Sequence, residues 1–177
     1  MAPKEKIIND DHYIILDLMR RGYRVIYVPD AHSFEYVSLT AQDEIERRTR
    51  MNAGLYQTMS LSKHLLPFQN PLLVWQVISH KYFRAIVPFA LILLFVSNIS
   101  IFFFSENGRA LLFQTFLYLQ FLFYFLAGLG NFINFNGVLG KVFYIPVFLF
   151  NSNLATLKGF YKFVANKQLH VWNRVGR

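Results

Sequence analysis

Two long apolar runs without a single charged residue constrain this chain more than any other feature. The first run covers residues 86–104 and the second covers residues 110–130. A helix of about 20 apolar residues is long enough to cross the ~30 Å hydrocarbon core of a bilayer. Because only the short polar stretch 105–109 separates the two runs, together they predict a helical hairpin inside a membrane.

The composition agrees with a membrane protein. Hydrophobic residues make up 54% of the chain and charged residues only 16%, whereas a soluble domain has about 25% charged residues. The 20 Phe and 10 Tyr residues suit lipid-facing and interfacial positions. The chain has no Cys, which excludes disulfides and thiolate metal sites.

The charge is unevenly distributed along the chain. Residues 1–46 carry a net charge of −4, and residues 47–177 carry +12. The cations border the apolar runs, which favours contact with an anionic membrane surface. We therefore expect membrane lipid as a partner and no nucleic acid.

The first 40 residues predict a helix followed by strands. Asn9 or Asp10 is a suitable cap for the start of the helix, and Gly22 suits its end. Residues 23–28 are rich in β-branched and aromatic side chains, which predicts a strand. Residues 32–37 form a weaker second strand candidate.

A second helix is predicted from about residue 41 to about residue 65. Thr40 and Asp43 match the capping box at its start. Four side chains share one face of this helix by their i, i+3, i+4, i+7 spacing: Arg47, Arg50, Met51 and Gly54. From spacing alone, these arginines are most typical of a surface that faces water or lipid headgroups.

The remaining segments complete a membrane architecture. Residues 67–85 contain Trp75 and predict an interfacial segment. Residues 142–157 are a third, shorter candidate span. Residues 158–177 form a basic amphipathic tail.

The order of the motifs resembles a known family. The string from Asn9 to Ala31 places an Asp pair ahead of a helix that ends in Arg-Gly-Tyr-Arg, and a strand that ends in Pro follows. This order resembles membrane-bound family 2 glycosyltransferases, the superfamily of the cellulose, hyaluronan and chitin synthases. The Ser-His-Lys string at residues 79–81 and the string at residues 168–175 resemble a less studied, non-canonical bacterial branch. An alternative explanation of the string at 79–81 is a positively charged anchor beside a membrane span.

The resemblance implies a fold class and a domain division. The chain resembles the C-terminal portion of such an enzyme: a mainly α membrane protein with a small α+β remnant of a GT-A type nucleotide-sugar domain. That remnant is expected at residues 1–66. An interfacial helix (67–85), two or three transmembrane helices (within 86–157) and the tail (158–177) follow it.

The resemblance also implies an activity and its site residues. Such enzymes transfer a sugar from a nucleotide-sugar to a carbohydrate or lipid-linked acceptor in polysaccharide biosynthesis. By position, Asp11 matches their catalytic base and Asp10 its acidic neighbour. Arg50 matches the Arg of their Gln-x-x-Arg-Trp motif, and Arg47 and Met51 replace its Gln and Trp. We therefore expect Arg50 and Arg47 to bind substrate. Spacing alone makes the Asp pair a helix cap.

One motif of this family is missing from the chain. These enzymes bind a divalent metal, Mg²⁺ or Mn²⁺, through an Asp-x-Asp motif, and the 177 residues contain no Asp-x-Asp. We expect the metal ligands and the donor-binding half to lie elsewhere, for example on a partner chain, and the isolated fragment to be inactive. The alternatives are a non-catalytic membrane subunit and a membrane-anchoring protein. Lys81 and Arg84 predict that the catalytic remnant is cytoplasmic in a multi-pass protein of the cell (inner) membrane.

Overall fold

The computed structural model describes residues 7–34, 40–104, 110–133 and 137–167. This part of the chain is mainly helical. A π-helical turn, Ile78–Tyr82, joins the fourth α-helix to the fifth. The α-helices in chain order are α1 (Asp10–Arg20), α2 (Ala41–Ser60), α3 (Ser62–Leu65), α4 (Pro71–Val77), α5 (Phe83–Phe104), α6 (Ala110–Phe132) and α7 (Gly137–Val164).

The predicted α+β remnant is wrong for the described residues, which contain no strand. Residues 23–28 are irregular and their side chains face outward; Ile26 is 76% exposed and Tyr27 88%. Residues 32–34 are irregular too, and the rest of the second predicted strand lies outside the described residues. A strand needs a neighbour to pair its backbone groups, and isolated pairs of strands are only marginally stable. No such neighbour is present in the described segments.

Two of the predicted helix signals are confirmed, the end of α1 at Gly22 and the capping box at the start of α2, whereas the predicted side-chain cap of α1 is absent. Gly22 follows the end of α1 with φ +85°, a left-handed conformation that glycine adopts without steric cost. Thr40 Oγ1 accepts a hydrogen bond from the Asp43 N–H at 3.1 Å, and the Asp43 carboxylate accepts one from the Thr40 N–H at 3.2 Å. α2 therefore begins at the predicted capping box. The sequence predicted that this helix continues to about residue 65. In the structure α2 ends at Ser60, and the separate helical turn α3 follows it.

The chain divides into two compact units. The first contains the residues up to 85 and those from 155, and the second contains residues 86–154. In the first unit, Tyr56 on α2 lies at the centre of an apolar core. Its hydroxyl donates to the carbonyl of Ala85 at 2.7 Å, and its ring packs against Phe160 and Phe163 at centroid distances of 5.2 and 6.3 Å. The last turns of α7 are therefore part of this core.

The two helices α2 and α7 approach each other to backbone contact at Gly159. A Cβ atom at this position would lie 2.9 Å from the Thr49 carbonyl oxygen, 2.9 Å from the Ala53 nitrogen and 2.7 Å from the Asn52 Cβ. Real Cβ contacts are essentially never that short. Only glycine therefore permits this packing of α7 on α2.

The second unit contains a pair of long apolar helices. Asn98 on α5 is buried, and its amide donates to Gln120 on α6 at 3.1 Å. Phe95 packs edge-on against Phe121 and Tyr124. Such polar contacts between helices stabilise membrane bundles modestly, by about 1 kcal/mol.

Two helices of the described residues, Pro71–Phe104 and Leu111–Phe132, are long and apolar enough to cross a membrane. They contain the first predicted span, 86–104, and residues 111–130 of the second. This finding gives weak support for membrane association, because it rests on length and composition alone. The third candidate, residues 142–157, lies within α7 and stays a prediction.

We predict that Gly159→Ala destabilises the protein by about 1–3 kcal/mol, the usual cost of overpacking a tight contact. Gly128→Ala on α6 is the matched control, because nothing lies within 4 Å of its added Cβ. Alanine is favoured over glycine inside helices by ~0.5–1 kcal/mol, so the control should unfold at the same temperature as the parent or higher. Thermal unfolding in detergent measures both. A Gly159→Ala protein as stable as the parent would contradict the described contact.

Candidate active site

The start of α1 is fastened to the side of α2 by two hydrogen bonds. The Asn9 side-chain amide donates to the backbone carbonyl of Met51 at 2.8 Å. The Ile8 N–H donates to the side-chain oxygen of Gln57 at 3.0 Å. A Cβ atom at Gly54 would lie 2.5 Å from the Asn9 Cγ, so the absence of a side chain at Gly54 makes room for Asn9.

This attachment places the Asp pair next to the arginine-bearing face of α2. Asp10 and Asp11 directly follow Asn9, while Met51 and Gly54 belong to the face that also carries Arg47 and Arg50. The residues joined by the Asn9–Met51 hydrogen bond are 42 positions apart in the chain. The structure therefore brings all of the sequence-predicted site residues into one region.

The two aspartates differ in their contacts at the helix start. Asn9 makes no side-chain capping hydrogen bond, because its amide is turned toward Met51. The Asp10 carboxylate instead accepts from the N–H of Asp11 at 3.0 Å. Both aspartates are exposed, and both lie in the first turn, where the partial positive charge of the helix stabilises a carboxylate.

Glu44 holds two of the three neighbouring arginines. Arg47 donates to both carboxylate oxygens of Glu44, at 2.9 and 3.0 Å, and Arg48 donates to one of them at 2.7 Å. Arg50 is half-buried. It lies one turn further along α2 than Arg47 and directly precedes Met51. Three acidic residues, Asp43, Glu44 and Glu46, share this part of α2 with the three arginines, so its formal charge is zero.

His12 is a buried residue of this region that the sequence did not single out. It is 7% exposed, and its Nε2 atom has no hydrogen-bond partner in the described structure. Burial lowers the pKa of His12, nearby Lys81 lowers it further, and Asp11 opposes them. His12 is therefore neutral at pH 7 and does not add a positive charge beside Asp11.

Sequence reasoning found the charged residues of the site but missed most of those that position them. Gly54 was predicted only as a member of the face that carries Arg47 and Arg50, whereas its missing side chain makes room for Asn9. No sequence pattern predicted that Gln57 binds the start of α1, because its contact with Ile8 joins residues 49 positions apart. No pattern predicted the contact of Gly159 either, since its partner helix is more than 90 positions away.

The described residues contain no group of three or more Asp, Glu or His side chains that could hold a metal ion. Asp10 and Asp11 supply two adjacent carboxylates, and they do not form such a group with a third ligand. The described arrangement offers exposed carboxylates, which can accept a proton, beside guanidinium groups, which suit phosphate or carboxylate oxygens.

Comparison with known proteins gives one match. The family model described as "Glycosyl transferase family group 2" matches residues 2–132. No curated protein and no solved structure matches the chain. The family match extends from the region of the Asp pair through the arginines of α2 to the end of α6, which is about three quarters of the chain; the protein therefore belongs to glycosyl transferase family group 2.

Proposed function

We propose that this protein transfers a sugar from a nucleotide-sugar to a carbohydrate or lipid-linked acceptor at the cytoplasmic face of the cell (inner) membrane, in polysaccharide biosynthesis. The supporting observation is the Asn9–Met51 contact, which joins the helix start that bears the exposed Asp pair to the helix that bears the arginines. Together with family membership, this pairing of a proton acceptor with guanidinium groups suits a reaction that expels a diphosphate.

In the proposed reaction, Asp11 acts as the general base. The acceptor hydroxyl oxygen forms a bond to the anomeric carbon of the donor sugar. The bond between that carbon and the diphosphate oxygen breaks, and the nucleoside diphosphate leaves with its electron pair. The hydroxyl proton passes to the Asp11 carboxylate. Asp10 positions Asp11 through the hydrogen bond to its N–H.

Arg50 and Arg47 are proposed to bind substrate. A guanidinium group binds phosphate oxygens through two parallel N–H donors. Arg50 is the residue that matches the Arg of the family motif, so we assign the main contact, to the diphosphate or to the acceptor, to Arg50.

We propose that the donor-binding half of the catalytic domain, with Mg²⁺ or Mn²⁺ and its ligands, is contributed by polypeptide outside these 177 residues. The absence of an Asp-x-Asp motif supports this proposal. So does the stretch 23–28, whose apolar side chains are exposed and whose sequence favours a strand. A neighbouring strand from that half would pair its backbone groups. A non-catalytic membrane subunit that assembles with a partner is the alternative.

The first test replaces the two aspartates one at a time. The isolated chain should neither transfer sugar nor bind nucleotide tightly, and it should become active when joined to a donor-binding half. In that assembly, Asp11→Asn should slow single-turnover transfer by about 10²–10⁴-fold, the usual contribution of a general base. Nucleotide affinity should hardly change. Asp10→Asn should cost less, because its contact with the helix start is worth about 0.3–1 kcal/mol.

Two results would count against this assignment. Transfer by the Asp11→Asn assembly at the parent rate would exclude Asp11 as the base. An assembly that stays inactive with intact aspartates, although it binds nucleotide, would favour the non-catalytic subunit.

The second test compares Arg50→Lys with Arg48→Lys in the same assembly. Lysine keeps the charge but lacks the two parallel donors, so Arg50→Lys should weaken nucleotide binding or transfer markedly. Arg48 is held by Glu44 at 2.7 Å, and its replacement by Lys should leave transfer near the parent rate. Equal activity of the two variants would show that Arg50 does not bind substrate and would favour a surface that faces water or lipid headgroups.

The third test examines the contact between Asn9 and Gly54. Gly54→Ala should displace Asn9 and destabilise the protein by about 1–3 kcal/mol, with a parallel loss of transfer in the assembly. Asn9→Ala removes the side-chain atoms that the new Cβ meets, so Gly54→Ala should cost much less in that background. A double-mutant cycle of unfolding free energies measures this coupling. The same cost in both backgrounds would show that Asn9 does not occupy the space above Gly54.

A further inference from the structure

An open cleft lies between the end of α1 and the segment that leads into α4. Its volume is about 450 Å³, within the range of roughly 300–1,000 Å³ that is usual for small-ligand pockets. Arg20, Arg21 and Arg24 form its arginine wall, and residues of the stretch 67–73 form the other wall. Both walls belong to the first compact unit, and neither contains a residue of the proposed transfer site.

Backbone hydrogen bonds at the end of α1 hold the arginine wall in place. The Gly22 N–H donates to the Met19 carbonyl at 3.0 Å, and the Tyr23 N–H donates to the Leu18 carbonyl at 3.1 Å. This pair of hydrogen bonds is the Schellman motif, in which a residue of positive φ ends the helix. The φ of Gly22 is +85°. The arginine wall is therefore built on a hydrogen-bonded turn.

The other wall combines side-chain amides with apolar surface. Pro67 is fully buried, and the Asn70 N–H donates to its carbonyl at 2.8 Å in a tight turn. The Asn70 side-chain oxygen accepts from the Leu73 N–H at 3.3 Å, so the NH₂ group of this amide is the part that can donate to a ligand. Gln69 supplies a second, exposed amide, and Leu73 is half-buried. This wall therefore offers hydrogen-bond donors beside an apolar side chain.

The cleft carries a net positive charge. Residues 17–24 contain the three arginines and Asp17, a formal charge of +2, and residues 67–73 contain no charged side chain. Asp17 binds Arg20 at 2.8 Å and Arg21 at 2.7 Å. The hydrogen bond from Arg20 lowers the pKa of Asp17 most, and Arg21 lowers it further although burial opposes them, so this carboxylate is ionised at pH 7. The partial charge of about −0.5 at the end of a helix does not cancel the remaining positive charge.

Arg24 is the arginine best placed to bind an anion. It is exposed, and it forms no ion pair with any residue in the part of the chain that the structure describes. A guanidinium group has five N–H donors and binds a phosphate group through two of them in parallel. Arg24 can therefore bind an anion without breaking a described ion pair, whereas Arg20 and Arg21 also hold Asp17.

We propose that this cleft binds the phosphate monoester group of a small ligand, with Arg24 as its main contact. A carboxylate also fits a guanidinium group, but a phosphate monoester carries a charge of about −1.5 to −2 at pH 7, which matches the formal charge of residues 17–24. The remainder of the ligand lies against Tyr23 and Leu73, which line the same cleft.

The cleft is separate from the proposed transfer site. Asp11 and Arg20 lie near opposite ends of α1 and are nine positions apart, which corresponds to about 14 Å along the helix axis. Binding in the cleft therefore does not depend on the proposed transfer reaction.

Both soluble esters and lipids carry phosphate monoesters. The segment that forms the second wall also carries exposed apolar side chains, Phe68, Leu72 and Trp75, which suit an acyl chain next to the headgroup. A test therefore needs the same phosphate group in a soluble form and in a lipid form. Glycerol 3-phosphate and phosphatidic acid provide this pair.

The test uses the 177-residue chain in dodecyl maltoside, a detergent without phosphate. Phenylglyoxal modifies arginine, and mass spectrometry of peptides reports how fast each arginine reacts. We expect glycerol 3-phosphate, phosphatidic acid or both to protect Arg24, and acetate at the same ionic strength not to protect it. Protection by glycerol 3-phosphate identifies a soluble ligand, and protection by phosphatidic acid alone identifies a lipid.

Variants assign the binding to the cleft. Arg24→Gln should weaken the affinity for the protecting ligand by about 10–100-fold, the usual effect of losing a hydrogen bond to a charged group. Lys63→Gln is the matched control, because it removes one positive charge from an exposed position of the same unit outside the cleft, and its affinity should equal that of the parent. Titration calorimetry measures the affinities. Thermal unfolding without ligand checks that both variants fold.

Three results would overturn the proposal. The first is that neither ligand protects Arg24 in the parent protein, a measurement that needs no variant. The second is an equal loss of affinity in Arg24→Gln and Lys63→Gln, which would show a general effect of charge. The third is an affinity that is unchanged in Arg24→Gln but lost in Arg50→Gln, which would place the phosphate at α2 and leave the proposed substrate contact standing.

Discussion

The contact between the Asn9 side chain and the backbone of α2 at Gly54 and Met51 is the interaction on which the candidate site depends. It joins two helices that are far apart in sequence, and it needs both a hydrogen-bonding amide on one helix and a missing side chain on the other. Without it, the Asp pair would be an ordinary helix start. With it, the helix start that carries two carboxylates is joined to the helix that carries the arginines.

The helix α2 has contacts on more than one face. Gly54 accommodates the start of α1, and Thr49, Asn52 and Ala53 meet the backbone of α7 at Gly159. Tyr56 joins the same helix to Ala85, where the apolar run begins. Burial raises the pKa of Tyr56 to about 12, so its hydroxyl remains a donor at any physiological pH. A change in the packing of α2 would therefore reach the proposed site and the first turn of α5 together.

The ionisable groups of the site differ in how their charge depends on pH. Glu44 binds two guanidinium groups, and His12 stays neutral because it is buried. Arginine keeps its charge at all relevant pH values, so the guanidinium groups of α2 remain charged whatever the protonation state of the exposed carboxylates.

The sequence alone determined those features that depend on neighbours within a few positions. The two apolar runs predicted α5 and α6, the Thr40–Asp43 capping box predicted the start of α2, and Gly22 predicted the end of α1. Each of these signals acts through local hydrogen bonds or through the length of an apolar stretch.

Tertiary structure decided the rest, because partners distant in the chain control it. Residues 23–28 have the composition of a strand but no neighbour to pair with. Asn9 binds the backbone of α2 instead of capping α1, because Gly54 leaves space for its side chain. The last turns of α7 pack on α2 because Gly159 has no side chain, and α2 is more than 90 positions away in the chain.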